Sequence, residues 1–343
     1  MAITWSWAWG PETTTELESM GWDWQNTANG APSQLFTYSY IGSPARWSMS
    51  QDDAIFADRF TLPTEIWKPE GWLCTAFYGD TSYYSTGSPR LIEVVGGVRN
   101  TSISVQMTNA VTDTFSLYVD NIFKQSFNLP VSNWYFIGLK YSMLGATWGG
   151  QVYVDGAAVT SNFTAAAAAE VNGAYRFGGI SAGVKATYYA GMIVYDSLAD
   201  AGEVSRFVTR VEPTADTATV GTWTPVGEPS NWQVLDSPWN ITTYTQNITS
   251  LSADNVRVQA VDIPGQLGVT PTAIDNITLH TWASGSGQNG FCALSDDDST
   301  YVAGSVITPN LADPTYAYAS SDTQPSGGPW IGASLLYFKY EVS

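Results

Sequence analysis

Residues 133–156 read NWYFIGLKYSMLGATWGGQVYVDG, and this stretch constrains the fold of the chain more than any other. Two runs in it alternate with a period of two, the spacing of a strand whose side chains point to opposite faces. In the first, Tyr135, Ile137, Leu139 and Tyr141 fall on one face and Trp134, Phe136 and Lys140 on the other. In the second, Val152 and Val154 share a face against Gln151, Tyr153 and Asp155. Residues 145–150, GATWGG, are turn-rich, and Asp155-Gly156 is a tight-turn signal that leads out of the second run. The pattern predicts an antiparallel hairpin inside a larger β sandwich.

The rest of the first 200 residues repeats this theme. Met1–Trp9 alternates as a first strand, and further strands are predicted over 55–62, 72–78, 90–95, 102–107, 115–119, 123–128 and 175–179. Short strands at regular spacing, with Gly, Pro and Asx turns between them, are the pattern of a sandwich or jelly roll. Five consecutive alanines in 164–170 are too few for a helix of their own, so a loop with one turn is expected there. The clearest helix is 200–208, with an acidic start, apolar Val204, Phe207 and Val208, and Pro213 beyond it.

The Trp-led strand followed by a strand ending V-Y-V-D-G resembles the centre of a laminin-G-like or concanavalin-A-like jelly-roll domain. Residues 188–198, YYAGMIVYDSL, resemble that family's last core strand. The resemblance implies a fold that hosts lectins, glycosidases, adhesion modules and virion parts, so it implies no single activity.

Residues 213–221, PTADTATVG, are small and polar, and a domain boundary is expected there: a first sandwich over 1–213, a linker over 214–221 and a smaller β sandwich over 222–343. In the last part, 254–263, 275–282, 291–294, 301–307 and 331–342 read as strands. On the second of these Ile277 and Leu279 face inward, while Asn276, Thr278, His280 and Trp282 face away. The fold class expected is all-β, two antiparallel sandwich domains with one short helix near the end of the first. Asn276-Ile277-Thr278-Leu279, Asp313-Pro314, Gly328-Pro329-Trp330 and Leu335 to Val342 resemble, in order and layout, a small C-terminal domain of phage virion proteins.

The chain carries 13 Lys and Arg against 31 Asp and Glu, a net charge of −18. That balance argues against nucleic acid, whose binding needs neutralising cations, and against an anionic membrane surface. No run approaches the roughly 18 apolar residues of a membrane span. Met1–Trp9 has neither the basic nor the apolar region of a signal peptide, so an exported route is not expected. The two cysteines, Cys74 and Cys292, fall in different predicted domains and read as buried thiols rather than a disulfide or a metal site.

Hydrolytic jelly-roll proteins carry closely spaced carboxylates on one strand, and this sequence has none: Glu93 stands by itself, and Asp52, Asp53 and Asp155 sit at strand edges or turns. His280 is the single histidine, and no nucleophile elbow is present. An enzyme is therefore not expected, and no cofactor is assigned. Asp296-Asp297-Asp298 could offer oxygens to Ca²⁺ but lacks EF-hand spacing, so a solvated turn is the ordinary reading.

The function expected is that of a bacteriophage virion structural protein, a capsid decoration or appendage protein assembled in the host cytoplasm. Its partners would be other virion proteins, capsid or tail, and copies of itself as a trimer. The alternative is a carbohydrate-binding host-recognition module of the tail, stacking host surface glycans on Trp22, Trp24, Trp47 and Trp148.

Overall fold

In the computed structural model, the described residues are 3–7, 23–25, 33–35, 48–51, 59–79, 90–97, 101–109, 111–130, 132–178, 187–199, 211–235, 244–247, 253–260, 274–285, 288–309, 315–330 and 336–343. Strands dominate them, all paired antiparallel. They fall into two compact units, one holding the strands from Ile3 to Tyr195 and the other those from Ala215 to Val342. The all-β class expected from the sequence is what the chain adopts. The helix expected over 200–208 lies outside the described residues. The single α-helix among them is the short Asn231–Leu235 segment, in the second unit.

Two sheets make the first unit. One is nine-stranded, and its centre runs from Thr147–Val154 through Trp134–Ser142 and Glu70–Gly79 to Thr187–Tyr195. The other is seven-stranded, with Ile122–Asn128, Thr114–Val119, Ser102–Asn109, Arg90–Gly96 and Gly173–Gly178 as neighbours in that order. The predicted hairpin is present: Ile137 pairs with Val154 and Ser142 with Gly149. Its second strand starts at Thr147, earlier than the glycines suggested, so the reversal is confined to Gly145-Ala146. The alanine run also differs from expectation. Phe163–Ala166 is a strand, with Ala166 opposite Thr147 and Phe163 opposite Gly150. The helical preference of so short an alanine run is outweighed by the backbone bonds that the hairpin edge offers.

Two turns show why Asx residues stand where they do. Asp155 and Gly156 have φ of 48° and 85°, and Asp120 and Asn121 have φ of 53° and 59°. Both pairs join adjacent strands through two residues, and positive φ at both positions matches the right-handed twist of the flanking strands. Asp155 adds a side-chain bond: its carboxylate accepts the Phe136 amide at 2.8 Å.

The core lies between the sheets. Leu73, Phe77, Ile137, Leu139 and Val152 from one sheet and Ile92, Val94, Ile103, Val105, Phe115 and Leu117 from the other are buried. Phe77 meets Phe115 edge-on at 6.1 Å, and the Tyr189 hydroxyl donates to the Leu91 carbonyl at 3.0 Å. At Gly150 the sheets lie close: a Cβ there would stand 2.9 Å from Ile103 and 3.0 Å from Val119. The other face of the nine-stranded sheet is buried as well, with Ile3, Trp72, Cys74, Phe136, Ile193 and Tyr195 in one cluster.

In the second unit a five-stranded sheet runs Ala215–Asp216, Asn255–Ala260, Leu336–Val342, Gly290–Ser295, Val302–Ala303. Two ribbons accompany it: Trp223–Val226 with Tyr244–Asn247, and Ile277–Ala283 with Thr315–Ser321. The segment 214–221, read from composition as a linker, is hydrogen-bonded along the five-stranded sheet. Ala215 pairs with Gln259, Asp216 with Val258 and Val220 with Asn255. Ala260, Cys292, Leu294, Ala317, Ala319, Trp330 and Leu336 form the core, with Ile277 and Leu279 packed on it as their alternation predicts.

Candidate functional site

Of the four tryptophans singled out as stacking surfaces, Trp24 and Trp148 fall among the described residues. Trp148 is 0% exposed, because alternation along Thr147–Val154 puts it on the inner face with Gly150 and Val152. Its indole nitrogen donates to the Ala168 carbonyl at 2.8 Å. This corrects the expectation: Trp148 is core and cannot meet a ligand. Trp24 sits on the Asp23–Gln25 strand opposite Phe60. Trp22 and Trp47 lie outside the described residues, as do Asp52 and Asp53.

Among the described residues, the acidic groups weighed for chemistry are engaged structurally. Glu93, 1% exposed, is ion-paired with Arg90, and the Arg176 guanidinium stands 3.8 Å from its other oxygen. Asp155 is spent on its turn. In the Asp296–Asp298 loop the carboxylates turn to different partners instead of converging. Asp296 accepts from the Ser326 amide at 3.0 Å, and Asp298 takes the Tyr301 hydroxyl and Arg257. Asp297 accepts from the Thr300 and Ser299 amides at 2.8 and 2.9 Å and from the Ser299 hydroxyl at 2.7 Å. Those donors, Thr300 first, hold its carboxyl well below the ordinary range. Among the described residues no three His, Cys, Asp or Glu side chains gather as metal ligands would. The calcium idea therefore finds no cage in this loop.

What sequence reasoning did not assemble is the outer face of the Ile277–Ala283 and Thr315–Ser321 ribbon. Register sets Thr278 opposite Ser320, His280 opposite Tyr318 and Trp282 opposite Tyr316, all on the face away from Ala317 and Ala319. Tyr316 is the hub. Its ring lies 6.0 Å from His280 and 6.0 Å from Tyr318, both stacked, and 5.8 Å from Trp282. Its hydroxyl is 2.6 Å from His280 Nδ1. Beyond the rings lies a hydrogen-bonded set. The Asn276 amide donates to Ser320 and to Asp322, each at 2.8 Å, and the Thr278 hydroxyl donates to Asn276 at 2.8 Å. Tyr316 is 8% exposed, while His280, Trp282, Tyr318, Thr278 and Ser320 are half-buried. The signal was present in part: His280 and Trp282 alternate with inward Ile277 and Leu279. Their partners, Tyr316 and Tyr318, lie more than thirty residues on, and only the pairing joins them.

No protein-family model and no curated protein matches the chain. Among solved structures, a Trypanosoma rangeli sialidase in complex with 2,3-difluoro-KDN is 12% identical over 43% of this chain and 25% of its own, with a TM-score of 0.36. The cellulose induced protein Cip1 is 10% identical over 51% of this chain and 91% of its own, with a TM-score of 0.39. The chain thus spans about a quarter of the length of that sialidase. Likeness at these scores bears on neither activity nor ligand.

Proposed function

We propose that the chain is a non-enzymatic structural protein of a bacteriophage virion, a capsid decoration or appendage protein. It works through contacts with copies of itself, as a trimer, and with other virion proteins, and it is assembled in the host cytoplasm. Two resemblances support this reading: that of 133–156 and 188–198 to a laminin-G-like or concanavalin-A-like jelly roll, and that of 222–343 to a C-terminal phage virion domain. The observation that carries it is the fate of the chemically able residues. Glu93, Asp155 and Trp148 are each held by partners that maintain the fold, so the first unit acts as scaffold.

The Ile122–Asn128 strand, at the end of the seven-stranded sheet, supplies a contact surface. Ile122 and Phe123 are 55% and 53% exposed, and the Phe123 ring rests edge-on against Tyr118 at 5.9 Å. Exposed aromatic side chains at a sheet edge are the kind of group that protein interfaces enrich. The test is to purify particles from infected cells and identify their proteins by mass spectrometry, with cryo-electron microscopy for placement. The chain is expected in the particles at a fixed copy number, and Phe123→Asp is expected to lower its incorporation. Particles lacking the chain would overturn the proposal.

A further inference from the structure

The geometry points to the outer face of the Ile277–Ala283 and Thr315–Ser321 ribbon as a binding face for a neutral oligosaccharide. This goes beyond the virion reading and does not depend on it, since the face would bind a glycan wherever the protein resides.

A sugar ring offers two chemistries: faces of C–H groups carrying slight positive charge, and a rim of hydroxyls that both donate and accept. The ribbon offers the complement of each, side by side. The rings of His280, Trp282 and Tyr318 surround Tyr316, and an aromatic face is the negative end of its quadrupole. The Trp282 indole nitrogen is buried and makes no hydrogen bond, so this residue can contribute only through its ring. Next along the strand, Thr278, Ser320, Asn276 and Asp322 bring hydroxyl, amide and carboxylate groups that can meet sugar hydroxyls. From Thr278 to Trp282 the face spans about 14 Å at the rise of a strand, room for more than one ring.

Two further observations select this ligand class. The side chains are positioned in advance: the Asn276 amide is bonded to both Ser320 and Asp322, and His280 to Tyr316, so little rotamer freedom is left to lose on binding. The charge also discriminates. Residues 222–343 contain only two basic side chains, Arg257 and Lys339, against eleven acids. Both lie on the five-stranded sheet, where Arg257 pairs with Asp298 and Lys339 with Glu341. With Asp322 at one end and no Lys or Arg on the ribbon, a sialylated or uronic-acid glycan would meet repulsion, and a neutral one would not.

The experiment uses the full chain on a printed array that holds neutral hexose oligosaccharides beside sialylated and uronic-acid glycans. The best neutral glycan is then titrated by calorimetry. Wild-type protein is expected to retain neutral glycans, and Trp282→Ala and Tyr318→Ala to weaken binding at least roughly tenfold. Trp282→Phe should restore most of the loss, because it returns a ring. Asn276→Ala should weaken binding while leaving the thermal midpoint close to wild type, which separates loss of contact from loss of fold. Val111→Ala, a change on the first unit, should alter nothing. The proposal is overturned if wild type retains no neutral glycan, if it prefers acidic ones, or if binding survives all three alanine substitutions. Whether the protein is found in particles leaves these outcomes untouched, so the two proposals fail separately.

Discussion

The hydroxyls of Tyr141 and Tyr175 meet 2.5 Å apart, one from each sheet of the first unit, in a bond that closes a ring through Lys68. The Lys68 amide donates to Tyr175 at 2.9 Å, Tyr175 donates to Tyr141, and Tyr141 donates to the Lys68 carbonyl at 3.0 Å. Every donor in this ring is used, and both phenols are buried. Removing either hydroxyl leaves a buried group unpaired, so Tyr141→Phe and Tyr175→Phe should each cost about 1–3 kcal/mol. The double variant should cost less than the sum, because the second change removes a group already orphaned. Urea titrations of the four proteins would check both statements.

Gly150 and Gly149 are neighbours with opposite tolerances. A Cβ on Gly150 would press on Ile103 and Val119, whereas one on Gly149 would find its nearest atom 3.8 Å away, at Asn162. Gly150→Ala is expected to destabilise by about 1–3 kcal/mol through overpacking. Gly149→Ala should stay within about 0.5 kcal/mol of wild type. Equal effects in thermal denaturation would contradict the close approach of the sheets.

Trp148→Ala should behave as a core truncation and cost about 3–5 kcal/mol. The loss includes the bond to the Ala168 carbonyl as well as the filled volume between the sheets. Any glycan or particle binding lost in this variant should track the unfolded fraction measured by circular dichroism, and should return under conditions that restore the fold.

Stability should be lost on the alkaline side in both units. Burial raises the Tyr141 phenol well above the ordinary tyrosine range, with the Tyr175 hydroxyl adding to it. Burial likewise pushes the Cys292 thiol and the Tyr340 phenol up to about 12. Below the unfolded values, about 8.5 for Cys and about 10 for Tyr, both states keep these protons and nothing changes. As pH rises past those values, the unfolded chain gives up protons that the native state retains. Each group then withdraws up to about 1.4 kcal/mol per pH unit until it ionises in the fold. Asp297 acts at the other end with the opposite sign. Its lowered value contributes stability above the ordinary range of an aspartate, and that contribution disappears as pH falls through and below it. Thermal midpoints measured across pH should be level near neutrality and fall at both extremes, and Asp297→Asn should flatten the acid limb only.

Millimolar calcium should leave the thermal midpoint unchanged, because Asp296, Asp297 and Asp298 already spend their oxygens on Ser326, Thr300, Ser299, Tyr301 and Arg257. A midpoint raised by calcium and lost in Asp297→Asn would overturn that reading of the loop.

The strands could be read from sequence wherever one face is apolar and the other polar. Ile277 and Leu279 lie inward as their spacing says, and the 134–154 hairpin is antiparallel as predicted. Legibility failed where a side chain's fate is set by a partner distant in the chain. Trp148 looked like an exposed turn residue because glycines flank it. Counting back by twos from Val152 would have placed it on the inner face, had Thr147–Val154 been recognised as one strand. Phe163–Ala166 became a strand through an edge provided by other residues. The aromatic face depends on register between two strands well separated in sequence, and periodicity within either strand cannot supply that.

The ribbon's inner surface is built on Ala317 and Ala319 beside Ile277 and Leu279, while its aromatic rings and His280 point the other way. Folding and recognition are thus written in alternate letters of the same strands. Substitutions at 278, 280, 282, 318 and 320 can accumulate without disturbing the packing beneath, whereas 317 and 319 tolerate little more than a methyl. Such a layout lets a lineage change what it adheres to while its architecture stands still. It also marks the ribbon as the place to graft a new specificity onto this scaffold.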